Sequence, residues 1–277
     1  MGVPPPLVDS HAHLTDPRYE NDLSQVVDRA RAAGVVAFVV VGYDLKSSEM
    51  AVDLAGRLPD AWATVGIHPH HAAEATDSVL SKVEELARAP RVVAIGECGL
   101  DRYREQAPLG VQRGAFAAQL DIARRRGLPV VVHTREAMDE ALGILATGAP
   151  PRGGVMHCFD GTAADALRAT ALGMAISVAG PLTYRKDQTL AQAIAAVPAD
   201  RLMVETDCPY LGPAGFRGER NEPARVSLVA EAVARVRGTS FDEVARASTR
   251  TACLLFRIAP LGWASEGGSD GGEGNLC

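Results

Sequence analysis

The chain is poor in several things that would direct it elsewhere. No stretch approaches the ~20 apolar residues a membrane-spanning helix needs, so a membrane role is not expected. The opening Met1-Gly2-Val3-Pro4-Pro5-Pro6 has neither a basic segment nor an apolar one, and no secretory signal is read there; the cytoplasm is the expected compartment. The five cysteines are odd in number and form no CxxC, which excludes a disulfide framework and a thiolate zinc site. Three of them, Cys98, Cys158 and Cys208, follow directly on Glu97, His157 and Asp207, and strand alternation should turn them outward to pack against helices. Only three lysines are present, Lys46, Lys82 and Lys186, none at an expected strand end. A carbamylated lysine bridging two metals is thereby excluded. The formal net charge of −6 argues against avid nonspecific duplex binding, although part of it belongs to Glu266, Asp270 and Glu273 beyond Pro260. No Gly-rich phosphate-binding turn follows an early strand, which disfavours an open doubly wound sheet.

What is present is alternation. Short β-branched runs near 7–10, 35–42, 62–67, 92–96, 129–133, 153–157, 174–178 and 201–205 read as strands. Between or after them, Ala-rich amphipathic stretches near 19–33, 45–57, 78–89, 107–126, 136–147, 162–172, 187–197 and 224–237 read as helices. Near-continuous apolar strands such as Val35-Val36-Ala37-Phe38-Val39-Val40-Val41 are buried on both faces, as a closed parallel barrel requires. The expected fold is therefore an α/β TIM (β/α)8 barrel, one domain over 1–259, with an extra C-terminal helix near 240–258. Residues 260–277, Gly-rich and acidic, are expected to form a disordered tail.

Ligand-type residues fall at the ends of five of these runs: His11 and His13, then Glu97, His133, His157 and Asp207. At i and i+2 of a strand, His11 and His13 project together. In an α/β barrel the C-terminal strand ends carry the reactive groups. Imidazole and carboxylate donors without thiolate suit two divalent ions, with Mg²⁺, Mn²⁺ and Zn²⁺ all compatible. The simplest division gives one ion His11, His13 and Asp207, the other His133 and His157, with Glu97 bridging. Such a pair polarises an electrophile and holds a hydroxide for attack, with Asp207 available to accept a proton. Glu97 and Asp207 are accordingly the candidate catalytic residues. Glu205, two residues before Asp207, should lie one layer deeper and partner a ligand histidine or an arginine. His68 is a candidate substrate contact, as are Arg135, Arg217 and Arg220 in expected loops, with Arg102 and Arg104 beside them. Tyr103, Phe159, Tyr184, Tyr210 and Phe216 are either stacking surfaces or packing.

Taken together, Val8-Asp9-Ser10-His11-Ala12-His13, Gly66-Ile67-His68-Pro69-His70, Gly96-Glu97-Cys98-Gly99-Leu100-Asp101, Val132-His133-Thr134-Arg135, His157-Cys158-Phe159-Asp160-Gly161, Glu205-Thr206-Asp207-Cys208-Pro209-Tyr210-Leu211 and Arg220-Asn221-Glu222-Pro223 resemble, in order and spacing, the TatD branch of the amidohydrolase-like hydrolases. The resemblance runs from Leu7 to Phe256. It implies a metal-dependent deoxyribonuclease, a 3′–5′ exonuclease taking single-stranded DNA ends. The sequence does not fix the oligomeric state, and a monomer is the expectation. Asp160 stands where that family usually has Ser, and Thr251 where it has Asn. The alternative is a binuclear hydrolase of a non-nucleic ester, amide or lactone on the same scaffold.

Overall fold

Each apolar run becomes a strand, and each strand pairs in parallel with the next. The computed structural model describes residues 5–186 and 188–260. The strands are β1 (Leu7–Ala12), β2 (Val35–Val41), β3 (Ala61–Val65), β4 (Val92–Asp101), β5 (Val130–Arg135), β6 (Gly154–Met156), β7 (Met174–Val178) and β8 (Leu202–Val204), in sheet order β1 to β8. Helices α1 (Leu23–Ala32), α2 (Leu45–Arg57), α3 (Asp77–Leu86), α4 (Leu109–Arg126), α5 (Met138–Gly148), α6 (Ala163–Ala171), α7 (Gln188–Ala196) and α8 (Val226–Arg237) follow the strands in turn, and α9 (Phe241–Phe256) completes the fold. This is the TIM barrel with an extra C-terminal helix. The expected tail beyond Pro260 lies outside the described residues. No helix among those described is long and apolar enough to cross a membrane.

The sheet is drawn shut where β8 runs out beside β1. The Asp207 N–H donates to the His11 carbonyl (3.0 Å), and the His13 N–H to the Cys208 carbonyl (2.8 Å). Ser10 Oγ adds a bond to the Val204 carbonyl at 3.0 Å. The closure lies at the C-terminal end of both strands, where His11, His13 and Asp207 sit.

Alternation divides the strand side chains between two layers. Phe38, Val40, Val130 and Val132 pack outward with helix residues such as Val26, Leu54, Phe116 and Leu120. Val8, Ala37, Val39, Val131, Val155 and Met203 fill the barrel itself, together with Ala252 and Phe256 of α9 and with Ile258. The last helix is thus a plug at the N-terminal end, pinned by Thr249 Oγ1 to the Pro6 carbonyl (2.9 Å). Burying Phe256 there contributes about 1.5–3 kcal/mol. With that end sealed, the C-terminal mouth is where chemistry can happen.

Strand β4 departs from expectation: it continues to Asp101 instead of ending at residue 96, so Glu97 lies within the strand. Its register against β5 shifts between Ile95 and Cys98. Gly96 and Gly99 allow this, with φ of +133° and +142°; a Cβ at either would meet the Val131 or His133 carbonyl oxygen at 2.4 and 2.0 Å. A side chain at these positions would push β4 off β5.

Candidate metal centre

Four donor atoms meet at the seam between β1 and β8. His11 Nε2 and His13 Nε2 face each other at 3.3 Å. Glu97 Oε2 lies 3.5 and 3.8 Å from them, and Asp207 Oδ1 lies 3.7 and 3.3 Å from the same two nitrogens. Neighbouring ligand atoms around one divalent cation are separated by distances of this order. The Nδ1 atoms of His11 and His13 are buried without a hydrogen-bond partner, so no protein group competes for the orientation of these rings. The donor set fits a divalent cation. Asp207 presents its oxygen from a backbone at φ 53°, a left-handed conformation unusual for a residue with a side chain.

The other oxygen of Glu97 faces a second set. Oε1 lies 3.0 Å from His133 Nδ1, 3.3 Å from His157 Nε2 and 3.4 Å from His68 Nε2. His157 turns its Nδ1 to Glu205 Oε1 at 2.9 Å, and the Cys158 N–H donates to that same oxygen at 2.7 Å. His68 is different in kind. Its Nδ1 accepts the His70 N–H at 3.0 Å, which leaves the ring proton on Nε2, so this histidine points a donor at Glu97 rather than a lone pair. Burial pushes its pKa down to about 4, and it is neutral at physiological pH.

The electrostatics favour positive charge between the two sets. Burial opposes ionisation of Glu97, yet the surrounding imidazoles hold its carboxyl well below the usual range. Asp207 is likewise held down against burial, chiefly by His13 and His157. His157 is pushed the other way: burial disfavours its proton, but Glu205 and Glu97 outweigh that and raise it well above an ordinary histidine. With protons as the only cations at hand, the centre takes up protons; a divalent cation answers the same field.

The centre opens into a cavity of about 520 Å³ whose walls include Tyr43, Arg104, Arg135, Asp160, Arg185 and Tyr210. Arg135, an expected substrate contact, lines it and lies over the Tyr103 ring at 4.0 Å. Two other expected contacts do not reach it. Arg217 lies over Tyr184 (4.5 Å) outside the cavity wall. Arg220 is engaged by Asp22 (2.7 Å), Glu222 (3.0 Å) and the Arg18 carbonyl (2.7 Å), a network that ties the loop after β8 to the entrance of α1. Arg102 is paired with Glu140. Cys98 and Cys208 pack outward as expected, but Cys158 lines the cavity: β6 ends at Met156, and Cys158 lies past it with its backbone at φ 45°. Sequence reasoning also passed over Asp101, which sits 1% exposed behind His133, and Arg185, which the strand pattern left in a featureless loop.

Imidazole and carboxylate donors gathered at the C-terminal mouth of a TIM barrel define a class, the metal-dependent hydrolases acting on ester bonds. A family model described as TatD related DNase matches residues 8–257, and the chain belongs to that family. It is 38% identical to the uncharacterized metal-dependent hydrolase YabD of Bacillus subtilis, over 91% of this chain and 99% of the relative. It is 37% identical to the 3′-5′ ssDNA/RNA exonuclease TatD of Erwinia billingiae, again over 91% and 99%. Among solved structures, the TatD homologue YjjV of Escherichia coli superposes with a TM-score of 0.87 at 30% identity, covering 91% of this chain and 98% of that one.

Proposed function

We propose that the protein is a 3′–5′ exonuclease on single-stranded nucleic acid, with DNA ends as substrate, working with two divalent ions drawn from Mg²⁺, Mn²⁺ and Zn²⁺. The carrying observation is the division of Glu97, one oxygen toward His11 and His13 and the other toward His133 and His157. On this reading His11, His13 and Asp207 hold one ion, His133 and His157 the other, and Glu97 both. Bound there, the ions supply Lewis-acid polarisation of the phosphoryl group and acidify the attacking water.

The remaining work belongs to the side chains. Asp207, ionised at neutral pH, accepts the proton of the attacking water. The water oxygen bonds to phosphorus as the P–O3′ bond breaks, and the departing 3′ oxygen takes a proton from solvent. His68, neutral with its proton on Nε2, donates to a non-bridging phosphoryl oxygen and so stabilises charge that grows as the water attacks. Arg104, Arg135 and Arg185 at the mouth suit the next phosphates of the strand. A cavity of about 520 Å³ is of a size to take a nucleotide at a strand end.

The test is to incubate metal-stripped protein with 3′- and 5′-labelled single-stranded oligonucleotides, restoring Mg²⁺, Mn²⁺ or Zn²⁺ separately, with Glu97→Ala as control. Stepwise shortening from the 3′ end that needs metal and is lost in the variant is the expected result. Ion binding without cleavage of any oligonucleotide would overturn the nuclease assignment and direct attention to a non-nucleic ester or amide.

A further inference from the structure

The Asp101 carboxylate lies behind the second donor set, and two imidazoles share one of its oxygens. Oδ2 is 3.1 Å from His133 Nε2 and 2.9 Å from His70 Nε2. Oδ1 accepts the Arg104 N–H at 2.9 Å. The residue cannot swing away. Its main chain is held at both ends by Gln112, whose Oε1 accepts the Asp101 N–H (2.8 Å) and whose Nε2 donates to the Asp101 carbonyl (3.0 Å). Gln112 is itself fully buried and donates once more to the Ala107 carbonyl at 2.8 Å.

An ionised carboxylate only accepts. Both nitrogens facing Oδ2 therefore carry their protons, and in a neutral His133 the lone pair then falls on Nδ1, the atom 3.0 Å from Glu97 Oε1. Two acceptors so close are unfavourable unless a cation is shared between them. The path continues through His70, whose backbone N–H holds His68 Nδ1 and so sets the His68 proton on Nε2, back at Glu97 Oε1. Close contacts thus run from one oxygen of Glu97 through His133, Asp101, His70 and His68 and return to it, and the Glu97–His133 step is the one without a proton.

From this circuit we infer that Asp101 is a positioning residue: it selects the His133 tautomer that offers Nδ1 to the second ion, and through His70 it keeps the His68 donor aimed at the same place. The inference rests on the two-ion reading of the centre. Glu205 does the equivalent for His157 from the opposite side, so both imidazoles of the second set are oriented by a carboxylate, whereas those of the first set have no such partner.

The experiment uses the full chain loaded with zinc. Long-range ¹H–¹⁵N correlation of the histidine rings, with His133→Gln identifying the His133 signals, should show a protonated Nε2 and a metal-bound Nδ1. Calorimetry of Asp101→Asn should show the first zinc unchanged and the second weakened about 10–100-fold, the usual loss when a partner of a ligand histidine is removed. A His133 ring protonated on Nδ1 in the loaded protein, or two zinc ions bound by Asp101→Asn with unaltered affinity, would overturn the inference. If the variant fails to fold, the wild-type spectrum alone decides. Wild type that binds no zinc would remove the two-ion reading and this inference with it, whereas two bound ions with the wrong tautomer would remove only the inference.

Discussion

Replacing Glu97 by Gln is the sharpest perturbation available, because the side chain keeps its length while its charge is lost. Five imidazole nitrogens lie 3.0–3.8 Å from its two oxygens. An amide offers one oxygen and one NH₂, so whichever way it turns, one donor set faces an N–H group and the other a neutral oxygen. Both ions should therefore bind more weakly. Loss of a partner one step behind a ligand already costs 10–100-fold, about 1.4–2.7 kcal/mol, and this serves as the lower bound for each ion. At saturating Mn²⁺, turnover of a single-stranded oligonucleotide should fall by about 10²–10³, as when one preorganised electrostatic group is removed from a reaction centre. Calorimetry read beside His13→Ala and His133→Ala makes the test specific: each of those should weaken one binding event, and Glu97→Gln should weaken two. A Glu97→Gln protein that loses only one event, or that turns over at a rate within about tenfold of wild type, would refute the shared-carboxylate reasoning.

Three further outcomes are expected. Arg135→Ala should raise KM for an oligonucleotide with little change in kcat, while Arg220→Ala should lower Tm and leave KM alone; steady-state kinetics and thermal melts separate the two. Cys158 lines the cavity, but burial and the charges of Asp207 and Glu205 push its thiol well above the ordinary range, so it should resist iodoacetamide at neutral pH, and Cys158→Ser should keep full activity. Burial opposes ionisation of Glu222, yet Arg29 and Arg220 hold its carboxyl below the ordinary 4.5. Its contribution is therefore present above that value and lost as pH falls through the folded-state pKa, so the Tm deficit of Glu222→Gln at pH 7 should vanish on acidification.

The barrel was legible because strands buried on both faces are written as unbroken apolar runs, as in Val35–Val41. Most donors were legible for a related reason: a His or carboxylate directly after such a run falls at the barrel mouth, where the strands hand over to the loops. The extension of β4 was hidden because Gly96 and Gly99 look like a strand ending, and only the close approach of β5 shows why they continue it. Asp101 was passed over in consequence, lying beyond a strand end drawn too early. Arg220 was misplaced for another reason. An arginine bound to a phosphate and one bound to Asp22 read alike in a sequence, and that partner lies 198 positions away. Cys158 departs from strand alternation because β6 stops at Met156, one residue sooner than the apolar pattern suggests.

The first donor set is split across the seam that shuts the barrel, with His11 and His13 on the first strand and Asp207 beyond the last. A chain still emerging from the ribosome, or one cut short before β8, holds the two histidines and Glu97 but lacks Asp207, the second carboxylate that faces them. Assembly of the centre thus reports that the ring is complete, and an ion held there would rivet the two ends of the sheet together. On the proposed mechanism, a hydrolase built this way would stay inert until its fold is finished.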